Sequence, residues 1–259
     1  MSTKSVWAAA VAFVAAAVLL PTAAQANPSF YASPMFGIDT APGGQLLVAD
    51  AGKGVVDADT GALVASLPGV TDIAPIGRGD MLALTSTFAP GAHGALFRVS
   101  KGSARKLADL QQYEVENDPA GDGTAEGSDP FDLARMAGGK TLIADAAGND
   151  LLVANDTGRI DWVATFPEQN GAQAVPTSVA IGPDGKLYVA QLEDASWLAL
   201  EGGGGVGGSV HACDLATGSC QTVVSHVPIL TSIAFRGSTL WGVIWALVPG
   251  RADVVPLVP

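Results

Sequence analysis

The sequence is poor in the residues that most metal and catalytic chemistry requires. Its 259 residues include 3 histidines and 2 cysteines, too few for a zinc cluster or a histidine relay to be built in many ways. Lysine and arginine total 13, scattered along the chain, against 25 acidic residues. A net charge of −12 without a basic cluster offers no phosphate-tracking surface, so nucleic acid is not an expected partner. No G-x-S-x-G nucleophile elbow occurs, and the glycine run at 202–208 lacks the G-K-[ST] ending of a phosphate cradle. An acidic surface of this kind serves solubility or attracts cations.

Long apolar runs are also missing after the first twenty residues. Lys4 followed by the apolar stretch Val6–Leu20 and Ala24-Gln25-Ala26 has the layout of a signal peptide over residues 1–26. That stretch falls short of the roughly twenty residues a spanning helix needs, so no membrane span is expected in the mature chain. Residues 27–259 are read as one secreted or periplasmic domain, expected to be monomeric. What the domain does have is 32 glycines, 16 prolines and many short runs of Val, Leu and Ile, with no long helical periodicity. That composition describes short strands joined by tight turns.

The strands repeat. Segments MFGID, VTDIA, PFDLA, PTSVA and LTSIA align on the apolar anchors Ile38, Ile73, Leu133, Val179 and Ile233. Each is followed by a Gly or Pro turn and a second strand: LLVAD, MLALT, TLIAD, LYVAQ and LWGVIW. In the first four copies the second strand ends twelve residues after the anchor, at Asp50, Thr85, Asp145 and Gln191. An x-T-G hairpin at Thr60-Gly61, Thr157-Gly158 and Thr217-Gly218 then joins a third strand to a fourth. Repeats of this kind, spaced around the forty to fifty residues of a propeller blade, predict an all-β fold: a β-propeller of four-stranded antiparallel blades. Five blades are detected, and a sixth would require a poor copy inside an insertion. The last copy shows only three strands, and residues 28–33 (PSFYAS) are expected to supply its fourth.

With these segments aligned, the chain resembles the ScyD/ScyE family of exported, NHL-like β-propeller proteins. The phrases that carry the resemblance are DLQQYEVENDP, SDPFDLARMAGGKTLIADAAGNDLLVANDTGRI, and QAVPTSVAIGPDGKLYVAQL followed by GGSVHACD. They run from Leu107 to about Asp214, although the chain is shorter than the family pattern and its first and last blades are terse. The resemblance implies a secreted or periplasmic propeller and brings no catalytic residues with it.

Candidate functional residues follow from the repeat itself. The residue before each anchor is Gly37, Asp72, Asp132, Ser178 or Ser232, on the side of the strand opposite the anchor. Asp72, Asp132, Ser178 and Ser232 therefore form a polar ring near the channel, able to hold a polar ligand or Ca²⁺, or else to bond neighbouring backbone. No cofactor is implied beyond that calcium reading. Asp50, Asp145, Asn149 and Asp150 stand at turns, where carboxylates and amides ordinarily accept backbone N–H groups. Two long insertions, residues 109–130 and 192–208, are further candidates. The first carries Glu114, Glu116, Asn117, Asp118, Asp122, Glu126 and Asp129 without EF-hand spacing, and is read as a solvated loop in preference to a second calcium site. Trp197, Trp241 and Trp245 are read as inter-blade packing before ligand contact. Cys213 and Cys220 flank a tight turn and are expected to form a disulfide, in preference to a zinc site with His211 and His226.

The function this supports is a binding or scaffold propeller whose ligand, a small molecule or a protein, is not encoded in any motif. A metal-dependent lactonase or gluconolactonase-like hydrolase with its site at the channel mouth is the alternative.

Overall fold

The computed structural model describes residues 34–119, 121, 127–166, 173–192, 207–227, 229–245 and 252–257. Nineteen strands in these residues form five sheets around a common axis, a five-bladed β-propeller. Blade 1 comprises β1 (Met35–Thr40), β2 (Leu46–Asp50), β3 (Gly54–Asp57) and β4 (Leu63–Ser66). Blade 2 comprises β5 (Val70–Gly77), β6 (Asp80–Thr85), β7 (Ala95–Ser100) and β8 (Ser103–Asp109). Helix α1 (Leu110–Asn117) follows it. Blade 3 contains β9 (Pro130–Arg135), β10 (Lys140–Asp145), β11 (Asp150–Asn155) and β12 (Ile160–Thr165). Blade 4 contains β13 (Pro176–Ile181), β14 (Leu187–Gln191), β15 (Gly208–Cys213) and β16 (Cys220–Val227). Blade 5 contains β17 (Leu230–Arg236), β18 (Thr239–Trp245) and β19 (Ala252–Pro256). Every sheet is antiparallel and in sequence order. The fourth strand expected from residues 28–33, and the signal peptide before it, lie outside the described residues.

Four apolar clusters hold the blades together, each lying between two successive blades. Leu47, Ala49, Val55 and Ala65 of blade 1 meet Ile73, Met81, Ala83 and Val99 of blade 2. Leu82, Leu84 and Leu96 of blade 2 meet Leu133, Ile143 and Leu152 of blade 3, and the pattern continues into blades 4 and 5. Both faces of the middle blades are therefore covered, so second strands such as MLALT and TLIAD are apolar without alternation and buried almost throughout. Each anchor faces the blade before it. Ile73, Leu133, Val179 and Ile233 are all buried in this way, whereas Ile38 of the first blade is 63% exposed and joins none of the four clusters.

Turn chemistry agrees with the sequence. The glycines of the x-T-G hairpins have φ of 70°, 89° and 67° at Gly61, Gly158 and Gly218, left-handed values that a side chain would oppose. Cys213 and Cys220 close the disulfide across the first pair of the β15–β16 hairpin. With both sulfurs bonded, the zinc arrangement is excluded. His211 is buried beside Ser209 Oγ at 2.9 Å and Thr222 Oγ1 at 3.3 Å, and burial lowers its basicity.

Strand direction sorts the connections onto two faces. Inner strands all leave from one face and second strands return to it, so that face receives every second-to-third connection and every crossing between blades. The x-T-G hairpins lie on the opposite face. Helix α1 and both ends of the 192–208 insertion consequently share the face where the inner strands begin.

Candidate functional site

Each inner strand carries a β-bulge at the same place, immediately before its anchor: Met35/Ile38, Val70/Asp72, Pro130/Asp132, Pro176/Ser178 and Leu230/Ser232. A bulge re-aims the side chain beside it. Here it turns the residue before the anchor toward the following blade. Asp72 Oδ2 accepts the Leu133 amide at 3.0 Å, Asp132 Oδ2 accepts the Val179 amide at 2.8 Å, and Ser178 Oγ accepts the Ile233 amide at 3.2 Å. Ser178 Oγ also donates to Asp132 Oδ2. The result is a relay that latches blade 2 to 3, 3 to 4 and 4 to 5, one amide at a time.

Asp72, Asp132 and Ser178 are thus brought together as the repeat predicts, with their oxygens committed to backbone. Ser232 is exposed and, among the described residues, its side chain extends the relay no further. Gly37 leaves room at the start of the ring, since a Cβ there would lie 2.1 Å from Asp72 Oδ1. Burial, then the adjacent Asp132 carboxylate, pushes Asp72 well above the usual carboxylate range. Burial raises Asp132 as well, against the bonds it accepts from Asp72, Ser178 and Val179. Both acids are thus pushed toward the protonated form, Asp72 further than Asp132.

A second group of carboxylates lies where the insertion meets blade 3. Asp109 caps α1 by accepting the Gln112 amide at 3.0 Å, and Asp118 ends it in the left-handed conformation. The buried face of this helix consists of Leu110 and Glu114, one turn apart. Glu114 therefore projects inward onto the β10–β11 turn, where one oxygen of each of Glu114, Asp145 and Asp150 lies within 4.8 Å of the others. Glu114 is 4% exposed, and Asp145 and Asp150 are 0% exposed. Asp145 behaves as a turn residue should, accepting from Gly148 N at 3.3 Å, Asp129 N at 2.8 Å and the Ser128 hydroxyl. Asp150 does not. Neither of its oxygens has a hydrogen-bond partner, and nor does Glu114 Oε1. Burial raises all three acids, Glu114 to about 8 and Asp145 to about 6, with mutual repulsion adding to it at Glu114 and Asp150.

The turn reading of Asp150 thus fails for a visible reason. Its counterparts opposite the last residue of the second strand are Gly54, Ala95 and Ser209, all small. Only blade 3 places a carboxylate there, and only blade 3 has the insertion helix above it. That comparison of copies was available in the sequence. The inward turn of Glu114 was not, because an eight-residue helix with two buried positions gives too short a period to read.

Three phenylalanines complete the same face. Phe36 of β1, Phe88 of the β6–β7 loop and Phe131 of β9 pack with ring centroids 4.5, 5.7 and 5.6 Å apart. Phe36 and Phe131 sit at the bulges of blades 1 and 3 and meet across blade 2, and Phe88 is 39% exposed. Trp241 lines an open groove on blade 5 with Ala234, Phe235, Arg236 and Val254. Trp197 and the side chain of Trp245 lie outside the described residues.

Fold and site together define an all-β propeller with a loop-rich face and a disulfide suited to an oxidising compartment. Among solved structures, the chain is similar to virginiamycin B lyase from Staphylococcus aureus, with a TM-score of 0.56 and 14% identity over 86% of this chain and 70% of that one. A streptogramin B lyase gives the same TM-score and identity over 88% and 70%. The extracellular domain of the hybrid two-component system BT3049 from B. thetaiotaomicron matches 86% of this chain and 28% of that one, at a TM-score of 0.52 and 12% identity. At these identities the likeness is one of fold. No family model matches the chain, and no curated protein matches it.

Proposed function

We propose that this chain is an exported binding or scaffold propeller of the ScyD/ScyE type, holding an aromatic or apolar group at the face where its inner strands begin. The observation that carries this reading is the Phe36–Phe88–Phe131 cluster. Three rings from three blades stay partly open to solvent on the face that also receives α1 and the 192–208 insertion. Partly exposed aromatic groups on a rigid scaffold give large contact area for little ordering cost. Export is supported by the residue pattern of positions 1–26, by the Cys213–Cys220 bridge, and by propeller neighbours that are extracellular domains.

A thermal-shift screen of aromatic small molecules, run beside a lactone and ester panel, tests the reading. The expected result is stabilisation by an aromatic compound that Phe88→Ser and Phe36→Ser each weaken about tenfold or more in affinity, without turnover. Metal-dependent turnover of a lactone would overturn it in favour of a hydrolase.

A further inference from the structure

We infer that Glu114, Asp145 and Asp150 form a binding site for a hard divalent cation, calcium foremost, that fastens helix α1 to blade 3. The acidic cluster alone would not establish this. The unpartnered oxygens do: Asp150 is fully buried with both oxygens free of hydrogen bonds, and Glu114 Oε1 is buried and equally unpartnered. Native interiors rarely leave such atoms without a donor. None of the ion pairs among the described residues reaches these three side chains, so no described lysine, arginine or histidine supplies the missing positive charge. Asp118, one turn beyond Glu114, makes the local field more negative still.

The local backbone is shaped for the same purpose. Gly148 lies between the ligands, and a Cβ there would stand 3.1 Å from the Glu114 carboxyl and 3.3 Å from Asp150 Oδ1. Asn149 follows in the left-handed conformation at φ 51° and fixes the turn by accepting the Val175 amide at 3.0 Å. Three carboxylate oxygens from a helix and a hairpin form a hard, anionic donor set. Calcium takes such ligands readily and completes its six to eight oxygens from carbonyls or water, whereas magnesium gives up its water reluctantly. Burial marks the ion as structural rather than catalytic, because a catalytic metal keeps a position open to substrate.

The test uses the full mature chain, stripped with EDTA and titrated with CaCl₂. Calorimetry should show one calcium per chain, and the melting temperature should rise by several degrees. Terbium should bind in calcium's place and luminesce when the neighbouring Tyr113 is excited. Asp150→Asn and Gly148→Ala should each lower calcium affinity tenfold or more. Should Asp150→Asn fail to fold, Glu114→Gln and the wild-type titration carry the test independently. A flat titration with equal melting in EDTA and calcium would overturn the site. Calcium uptake undiminished in Glu114→Gln and Gly148→Ala would overturn it too, by placing the ion elsewhere.

Discussion

Asp72 with Asp132 and Glu114 with Asp145 and Asp150 are two groups of carboxylates buried toward the same face of one ring, and their oxygens do different things. Those of the inner pair accept amides of the following blade, and burial pushes both acids toward the neutral form, so they act as hydrogen-bonding hardware in the ring. In the outer group, Asp145 alone is satisfied, while Asp150 and half of Glu114 lack donors. The contrast shows that burial and a raised pKa do not distinguish a latch from a ligand site. The count of satisfied oxygens does. Repetition explains the rest: the inner pair occupies a position that every blade must fill, and the outer group occurs where one blade departs from the pattern.

The strongest way to break this comparison is to delete an inner acid. Asp132→Ala removes the acceptor for the Val179 amide and the Ser178 hydroxyl and the acid beside Asp72 at once. Each donor left without a partner costs about 1–3 kcal/mol, so the variant should lose on the order of 4 kcal/mol. For a domain of this size that is a fall of about 10 °C in melting temperature. Calorimetry or far-UV melting measures it, and a fall below about 3 °C would mean that the relay does not hold the blades.

The outer group should respond in the opposite direction. In EDTA, Glu114→Gln replaces a buried acid lacking a partner for Oε1 with an amide that can donate to Asp145 or Asp150. The variant should melt a few degrees higher than wild type, on the order of 1–2 kcal/mol. Lower melting in EDTA would show that Glu114 has a protein partner and would place the two groups in one class.

How much of this was legible follows the same division. The ring residues could be read because five copies align, and the bulge that aims them recurs in each. The hairpin glycines and the Cys213–Cys220 pair were legible for similar reasons of local geometry. Cross-blade bonding was one of two readings the residues allowed, and only the Asp72–Leu133 and Asp132–Val179 distances decide it. The outer site needs Glu114 and Asp150 to meet across 36 positions of chain, with no motif spacing to announce it. The phenylalanine cluster is equally non-local, because Phe36 and Phe131 meet across blade 2 through the stacking of blades rather than sequence proximity.

The smallest effect expected is the most discriminating. Asp72 is the acid pushed further toward protonation, so Asp72→Asn should reproduce the neutral side chain it replaces. The amide oxygen accepts from Leu133 N as Oδ2 does now, and the amide nitrogen donates to Asp132 in place of the proton. At about pH 4 and below the variant should therefore match wild type within about 0.5 kcal/mol. As pH rises the two should diverge. An acid whose folded-state pKa is raised stabilises the fold fully below its unfolded value near 4, and that contribution is lost as pH climbs toward the folded value. Wild type should lose stability along that climb through Asp72, while Asp72→Asn has no proton there to lose. Melting curves from about pH 4 to 8, recorded in saturating calcium to hold the outer group constant, measure the difference. Parallel curves would mean that Asp72 does not titrate in this range; divergence with the variant on top at high pH identifies the inner pair as a neutral latch, chemically unlike the outer group.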